Sequence, residues 1–140
     1  MRRLVVSASL FAVCLAGFVN LSAAEDEKDT PKAAATRKLL KTKVSVEYKD
    51  TILRDVIDDI KDQIKDKTKK TLGVRLDNKG GVSNNTKFTY KADNKPLEQV
   101  LDEMFKANDL GYVVVSQKGA AYDGTLHIVK GKARGYPEKK

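Results

Sequence analysis

The chain of 140 residues has few of the side chains from which enzyme and metal sites are usually built. It contains one cysteine (Cys14), one histidine (His127) and no tryptophan. A single thiol excludes an internal disulfide, and one histidine without thiols cannot supply the converging ligands of a structural zinc site. A chain of this length buries the core of one domain. These shortages favour a small non-enzymatic protein with no metal and no cofactor.

The N-terminal residues have the three regions of a secretory signal. Arg2 and Arg3 precede an apolar run at residues 4–19, and small residues follow up to Ala24. The apolar run is shorter than the roughly 20 residues that span a bilayer, so a retained anchor is the less favoured alternative. We therefore predict a signal peptide at residues 1–24, removal of Cys14 with it, and export across the inner membrane to the periplasm or beyond.

Charge is distributed unevenly along the rest of the chain. Residues 44–129 hold 14 basic and 14 acidic side chains, whereas both flanks have a basic excess. This pattern predicts a flexible charged linker at residues 25–42 and a basic disordered tail at residues 131–140. Such flanks can contact polyanions or only keep the chain solvated. The candidate polyanion contacts are Lys130, Lys132, Arg134, Lys139 and Lys140.

Between the flanks, apolar periodicity predicts two helices and five strands. Alternation indicates strands, and apolar residues three or four positions apart indicate amphipathic helices. The predicted order is β-α-β-β-α-β-β, with strands near residues 44–48, 72–76, 88–90, 112–115 and 125–129, a helix over 52–64 and a second helix from Pro96.

An internal repeat underlies this order. The helical residues Leu53, Val56, Ile57, Asp58 and Ile60 recur 44 residues later as Leu97, Val100, Leu101, Asp102 and Met104. Tyr48-Lys49 recurs as Tyr90-Lys91, whereas Leu72-Gly73-Val74 recurs as Leu110-Gly111-Tyr112 at a spacing of only 38. The six-residue difference indicates a longer first helix or a longer loop after it. The repeat predicts an α+β fold with a pseudo-duplicated β-α-β unit, in which two helices pack against small sheets.

The segments that carry the repeat resemble a known family. They are VSVEYKDTILRDVIDDIKDQI, LGVRLDNKGGV, KFTYKADNKPLEQVLDEMFKANDLGYVVV and GTLHIVKG. Their pattern, with Leu53-x-x-Val56-Ile57 and Lys95-Pro96-Leu97-x-x-Val100-Leu101, is similar to the short domain at the N-terminus of secretins and TonB-dependent receptors. The resemblance covers residues 43–130 and implies a domain of the bacterial envelope that acts through protein contacts. No secretin channel region or receptor barrel accompanies it in this sequence.

Reactive groups do not converge anywhere in the pattern. His127 lies between Leu126 and Ile128 on a strand, so its side chain points away from the face that these two bury. The aspartates of the first helix alternate with basic residues, as on a solvated helix face. The element order also fits KH nucleic-acid domains, but the G-x-x-G clamp is missing. We therefore expect no catalytic or metal site and no specific nucleic-acid partner.

The leading hypothesis is a protein-interaction module that binds another envelope protein. Small sheets leave edge strands whose backbone groups a partner strand can pair with. The candidate edge residues lie on two strands: Val44, Ser45, Val46 and Tyr48 on the first, and Tyr112, Val113, Val114 and Val115 on the other. The alternative is a polyanion-binding or cell-surface-binding protein that acts through its basic flanks.

Overall fold

The computed structural model describes residues 29–137, so the predicted signal peptide lies outside the described residues. No helix within residues 29–137 is long and apolar enough to cross a membrane. The elements are α1 (Pro31–Leu40), β1 (Lys43–Ile52), α2 (Leu53–Thr68), β2 (Val74–Leu76), β3 (Lys87–Pro96), α3 (Leu97–Lys106), β4 (Leu110–Val114), β5 (Leu126–Lys130) and β6 (Arg134–Gly135).

The strands form two small sheets. β1 and β3 make a two-stranded antiparallel sheet, and the other four strands form a sheet in the order β2-β5-β4-β6. β4 and β5 form an antiparallel hairpin, whereas β2 runs parallel to β5 and β6 runs parallel to β4. The α+β class and the repeated β-α-β arrangement are confirmed, with α1 and β6 as additional elements.

The six-residue difference between the two repeats lies in the helices. α2 has 16 residues and α3 has 10, so the first of the two alternatives, a longer first helix, is correct. The added turns are held by Ile64, which is fully buried. Both helices begin directly after a ten-residue strand.

One apolar core joins the two sheets through the helices. The two repeated helical segments contain eight apolar residues that their spacing predicts to be buried. Seven of them are buried and Ile57 is partly buried against the core: Leu53, Val56, Ile57, Ile60, Leu97, Val100, Leu101 and Met104. Phe105, on α3, contacts Phe88 of the two-stranded sheet and Tyr112 of the four-stranded sheet, with ring centroids 6.0 and 6.4 Å apart. The two sheets therefore belong to one packed unit.

The predicted flexible linker at residues 25–42 is wrong over residues 31–40, which form α1. Thr30 caps the helix by accepting a hydrogen bond from the amide of Ala33, and Pro31 occupies the first helical position. The helix is held because it buries one side against the body: Ala33, Thr36, Leu39 and Leu40. The stripe is hard to recognise in the sequence because it is short and charged residues lie between its members.

The predicted disordered tail is also wrong as far as residue 137. Ala133 is buried, and β6 pairs with β4 through Tyr112↔Arg134 and Val113↔Gly135. The guanidinium of Arg134 binds the carboxylate of Asp102 and donates to the carbonyl oxygen of Leu110 at 2.9 Å. This basic residue orders the segment because its charge is used within the fold.

Candidate functional site

The four-stranded sheet has one closed edge and one open edge. On the β6 side, Nη1 of Arg37 on α1 donates to the carbonyl oxygen of Gly135 at 3.0 Å, so a side chain of α1 occupies a backbone group of that edge. On the opposite side, no strand among residues 29–137 lies beyond β2. We call residues 74–76, together with Tyr122, the β2 edge.

The hydrogen bonds to β5 determine which backbone groups of β2 face outward. The carbonyl of Gly73 accepts from the amide of Leu126, and the amide of Asp77 donates to the carbonyl of Ile128. Alternate residues of a strand face opposite neighbours. The N–H and C=O groups of Val74 and Leu76 therefore point away from β5, where a further strand could pair with them.

Arg75 and Tyr122 mark the outer face of this edge. The guanidinium carbon of Arg75 lies 3.8 Å from the centre of the Tyr122 ring, which is the geometry of a cation–π contact. Tyr122 belongs to the connection between β4 and β5, and half of its surface is exposed. None of the ion pairs found between residues 29 and 137 includes Arg75.

The face of the sheet beside Arg75 is partly apolar. Val113 follows buried Tyr112 and precedes buried Val114, so its side chain points away from the core, and it is half-buried. His127 is its cross-strand partner and lies on the same face, as the sequence predicts. Val115 and Val129 are also half-buried. A partner bound at the β2 edge would lie beside this partly apolar face.

The two strands proposed as edges have different outcomes. β4 lies between β5 and β6, so the prediction that residues 112–115 form an edge is wrong. β6 was missed because a two-residue strand after Gly131 gives no apolar alternation. Of the four residues, Tyr112 and Val114 are buried, whereas Val113 and Val115 are accessible on the sheet face.

β1 is an edge of the two-stranded sheet, but it offers little to a partner. Its candidate side chains Val44, Val46 and Tyr48 are buried. Two of its backbone groups are occupied by side chains of α2: Gln63 Oε1 accepts from the amide of Ser45 at 3.4 Å, and Lys67 Nζ donates to the carbonyl of Lys43 at 2.7 Å.

Two tyrosines of this sheet bind carboxylates on the helices. The hydroxyl of Tyr48 donates to Asp59 at 2.7 Å, and burial raises the pKa of Tyr48. The hydroxyl of Tyr90 donates to Glu103, and this bond, with those from Gln99 and Lys95, lowers the pKa of Glu103 to about 2. These protonated phenols attach strands to helices, which is a structural role.

The basic candidates are not gathered into one site. Arg134 is bound to Asp102 within the fold, whereas Lys130 at the end of β5 and Lys132 just after it are exposed. Lys139 and Lys140 lie outside the described residues. An open depression of about 340 Å³ near Arg134 also contains Asp102 and Asp109, so its charges are mixed.

Metal-ligating side chains do not cluster in the part of the chain that the structure describes. Within residues 29–137, no three histidine, cysteine, aspartate or glutamate side chains are placed to hold a metal ion. A second depression of about 340 Å³ lies on the two-stranded sheet, where Glu47 and Lys91 form an exposed ion pair at 3.6 Å.

Comparison with family models, curated proteins and solved structures returned no match. The resemblance to the secretin and TonB-dependent receptor domain therefore remains a hypothesis drawn from sequence.

Sequence reasoning identified β2 as a strand and missed it as an edge. The alternation of Leu72, Val74 and Leu76 carries no information about neighbours, and the parallel pairing with β5 joins segments about 50 residues apart. The contact between Arg75 and Tyr122 likewise joins residues 47 positions apart in the sequence. The one available signal was the shortness of the strand, which is common at sheet edges.

Proposed function

We propose that this protein is a non-enzymatic interaction module that binds another protein by adding a strand to its four-stranded sheet. The observation that carries the proposal is the difference between the two edges of that sheet. At one edge Arg37 of α1 binds the backbone carbonyl of Gly135, and at the other edge no strand among residues 29–137 lies beside the outward groups of Val74 and Leu76. An extended segment can pair with such groups and gain main-chain hydrogen bonds.

The surroundings of the edge support a partner rather than solvent alone. The side chains of Val74 and Leu76 are half-buried against the core, so a strand laid beside them would cover apolar surface as well as backbone. Edge strands that are meant to stay unpaired often carry inward-pointing charges, prolines or bulges. β2 has no proline, no bulge and no inward-pointing charge, and it shares with protected edges only its short length and its one charged residue, Arg75.

The compartment we propose is the bacterial envelope, with the partner an envelope protein. The basis is the signal-like sequence at residues 1–24 together with the resemblance of residues 43–130 to the secretin and receptor domain.

Affinity capture from an envelope extract tests the proposal. The tagged chain is expressed whole, so that the cell performs any cleavage. Val74→Pro removes one outward N–H and leaves the ladder between β2 and β5 intact, because Val74 does not donate to β5. We expect wild type to retain at least one envelope protein that Val74→Pro loses, with both variants folded by circular dichroism.

Lys118→Pro is the matched control. Lys118 is exposed and is the second residue of a turn in which the amide of Ala120 donates to the carbonyl of Gln117. Proline is favoured at that position, so this variant should capture the same protein as wild type. Identical capture by wild type and both variants would contradict the proposal that a partner strand pairs with the β2 edge. Capture that disappears with rising salt and with Lys139→Gln plus Lys140→Gln would instead support polyanion binding.

A further inference from the structure

Arg75, at the centre of the β2 edge, forms no ion pair with any residue from 29 to 137. Arg75 is exposed, and Tyr122 packs over its guanidinium group. Stacking on an aromatic ring restricts the guanidinium plane and leaves its outer N–H groups available to a carboxylate. The charge is therefore held in a defined place on the outer face of the sheet, level with the middle of the open strand.

This charge disfavours a second copy of the chain as the occupant. Two β2 strands related by a twofold axis would pair through the outward groups of Val74 and Leu76, with Arg75 directly opposite its own copy. Residues in such a non-hydrogen-bonded pair have Cα atoms about 4.5 Å apart, with side chains on the same face. Like charges in that position are destabilising.

The same geometry favours an acidic residue on the incoming strand. A glutamate opposite Arg75 would lie on the outer face, within reach of the guanidinium, and its neighbours would pair with Val74 and Leu76. Resting on the strand addition proposed above, we infer that the β2 edge binds an extended peptide segment with a carboxylate opposite Arg75 and apolar residues on either side.

Titration of the isotopically labelled whole chain with synthetic peptides tests this inference. The probe is a seven-residue peptide, acetylated and amidated at its ends. It has glutamate at its centre, valine on either side of the glutamate, and threonine and valine alternating outward from there. Two further peptides carry glutamine or lysine at the centre. The amide signals of Val74 and Leu76 report contact at the edge, and their concentration dependence gives the dissociation constant.

The glutamate peptide should bind about three- to fivefold more tightly than the glutamine peptide, as for an accessible ion pair. The lysine peptide should bind more weakly than either. Arg75→Glu should reverse this order, so that the lysine peptide becomes the tightest. Arg54→Glu, which changes an exposed arginine on α2, should leave the order unchanged.

The possible failures are distinguishable. Shifts at Val74 and Leu76 that are equal for all three peptides would overturn the acidic preference and leave strand addition standing. No shift at these amides with any peptide would overturn both. A dimer of the chain in sedimentation that Val74→Pro abolishes would assign the edge to a second copy and overturn the peptide inference.

Discussion

Asp50 and Asn94 occupy equivalent left-handed positions, with φ angles of 52° and 51°, each three residues before the first residue of a helix. Their amides are bound reciprocally across the two-stranded sheet. Asp50 donates to Oγ1 of Thr89 at 3.1 Å, and Asn94 donates to Oγ of Ser45 at 3.0 Å. Ser45 lies five residues before Asp50, and Thr89 lies five residues before Asn94. Exchanging the repeats therefore carries one of these hydrogen bonds onto the other.

The strand register has the same symmetry. Exchanging the repeats at a spacing of 44 carries the pair Lys43↔Pro96 onto Ile52↔Lys87 and carries Glu47↔Lys91 onto itself. The local twofold axis therefore passes through the Glu47–Lys91 pair. Tyr48 and Tyr90, which the sequence aligned at a spacing of 42, are cross-strand partners rather than equivalent residues.

We predict that Asn94→Ala lowers the free energy of unfolding by about 1 kcal/mol, because alanine tolerates the left-handed region poorly. Asn94→Gly should stay within about 0.5 kcal/mol of wild type, since glycine adopts this φ readily. Urea unfolding measures both. Asn85→Ala, at an exposed asparagine with negative φ, should change the free energy by less than about 0.5 kcal/mol. Equal effects of alanine and glycine at residue 94 would show that φ is not the cause.

Alanine substitutions at two glycines test how strongly the packing of α1 contributes to stability. Gly119 and Gly124 both have φ of +82°, but a Cβ at Gly119 meets nothing within 4 Å, whereas one at Gly124 lies 2.6 Å from Cβ of Lys32 on α1. Gly119→Ala should cost about 1 kcal/mol in unfolding free energy. Gly124→Ala should lower the unfolding free energy by about 1–3 kcal/mol more than Gly119→Ala does, because the added methyl group overpacks the contact with α1.

Hydrogen exchange at the amides of residues 33–40 provides the second measurement for this pair. Gly124→Ala should lower their protection selectively, because the clash acts on α1, and Gly119→Ala should leave it unchanged. Similar protection in the two variants would mean that α1 adds little to the stability of the body.

The core prediction concerns Leu101, which is 2% exposed on α3. Leu101→Ala should lower the free energy of unfolding by about 2–5 kcal/mol. Ile57→Ala should cost less than half as much, since Ile57 is only partly buried. A loss below about 0.5 kcal/mol at Leu101, measured in urea, would contradict its place in the core.

The repeat made most of the fold predictable from sequence, because each copy buries its own helix stripe at a clear period. Leu53, Val56 and Ile60 specify the buried face of α2 without reference to the rest of the chain. What could not be predicted depends on contacts between distant segments. α1 is ordered by surfaces supplied by residues such as Gly124, and β6 is ordered by Asp102 through Arg134.

The candidate site was less predictable than the fold for the same reason. Whether a strand lies at an edge depends on its neighbours. β4 is not an edge because the two-residue strand β6 pairs with it. Counting charges locates the basic excess in the two flanks. It cannot show that Arg134 forms an ion pair with Asp102 inside the fold.

The last prediction concerns the pH dependence of stability that arises from Glu103. Its pKa is lowered from about 4.5 to about 2, chiefly by the hydrogen bond from Tyr90 and then by those from Gln99 and Lys95. A group whose pKa is lower in the folded state stabilises the fold above its unfolded pKa, and that stabilisation is lost as the pH falls towards the folded pKa. The difference in unfolding free energy between wild type and Glu103→Gln should therefore be constant above about pH 5 and should shrink between pH 4.5 and 2. In the Tyr90→Phe background, which lacks the strongest of these hydrogen bonds, the shrinkage should be smaller. An equal pH dependence in both backgrounds, measured by urea unfolding across this range, would show that Tyr90 does not hold the carboxylate.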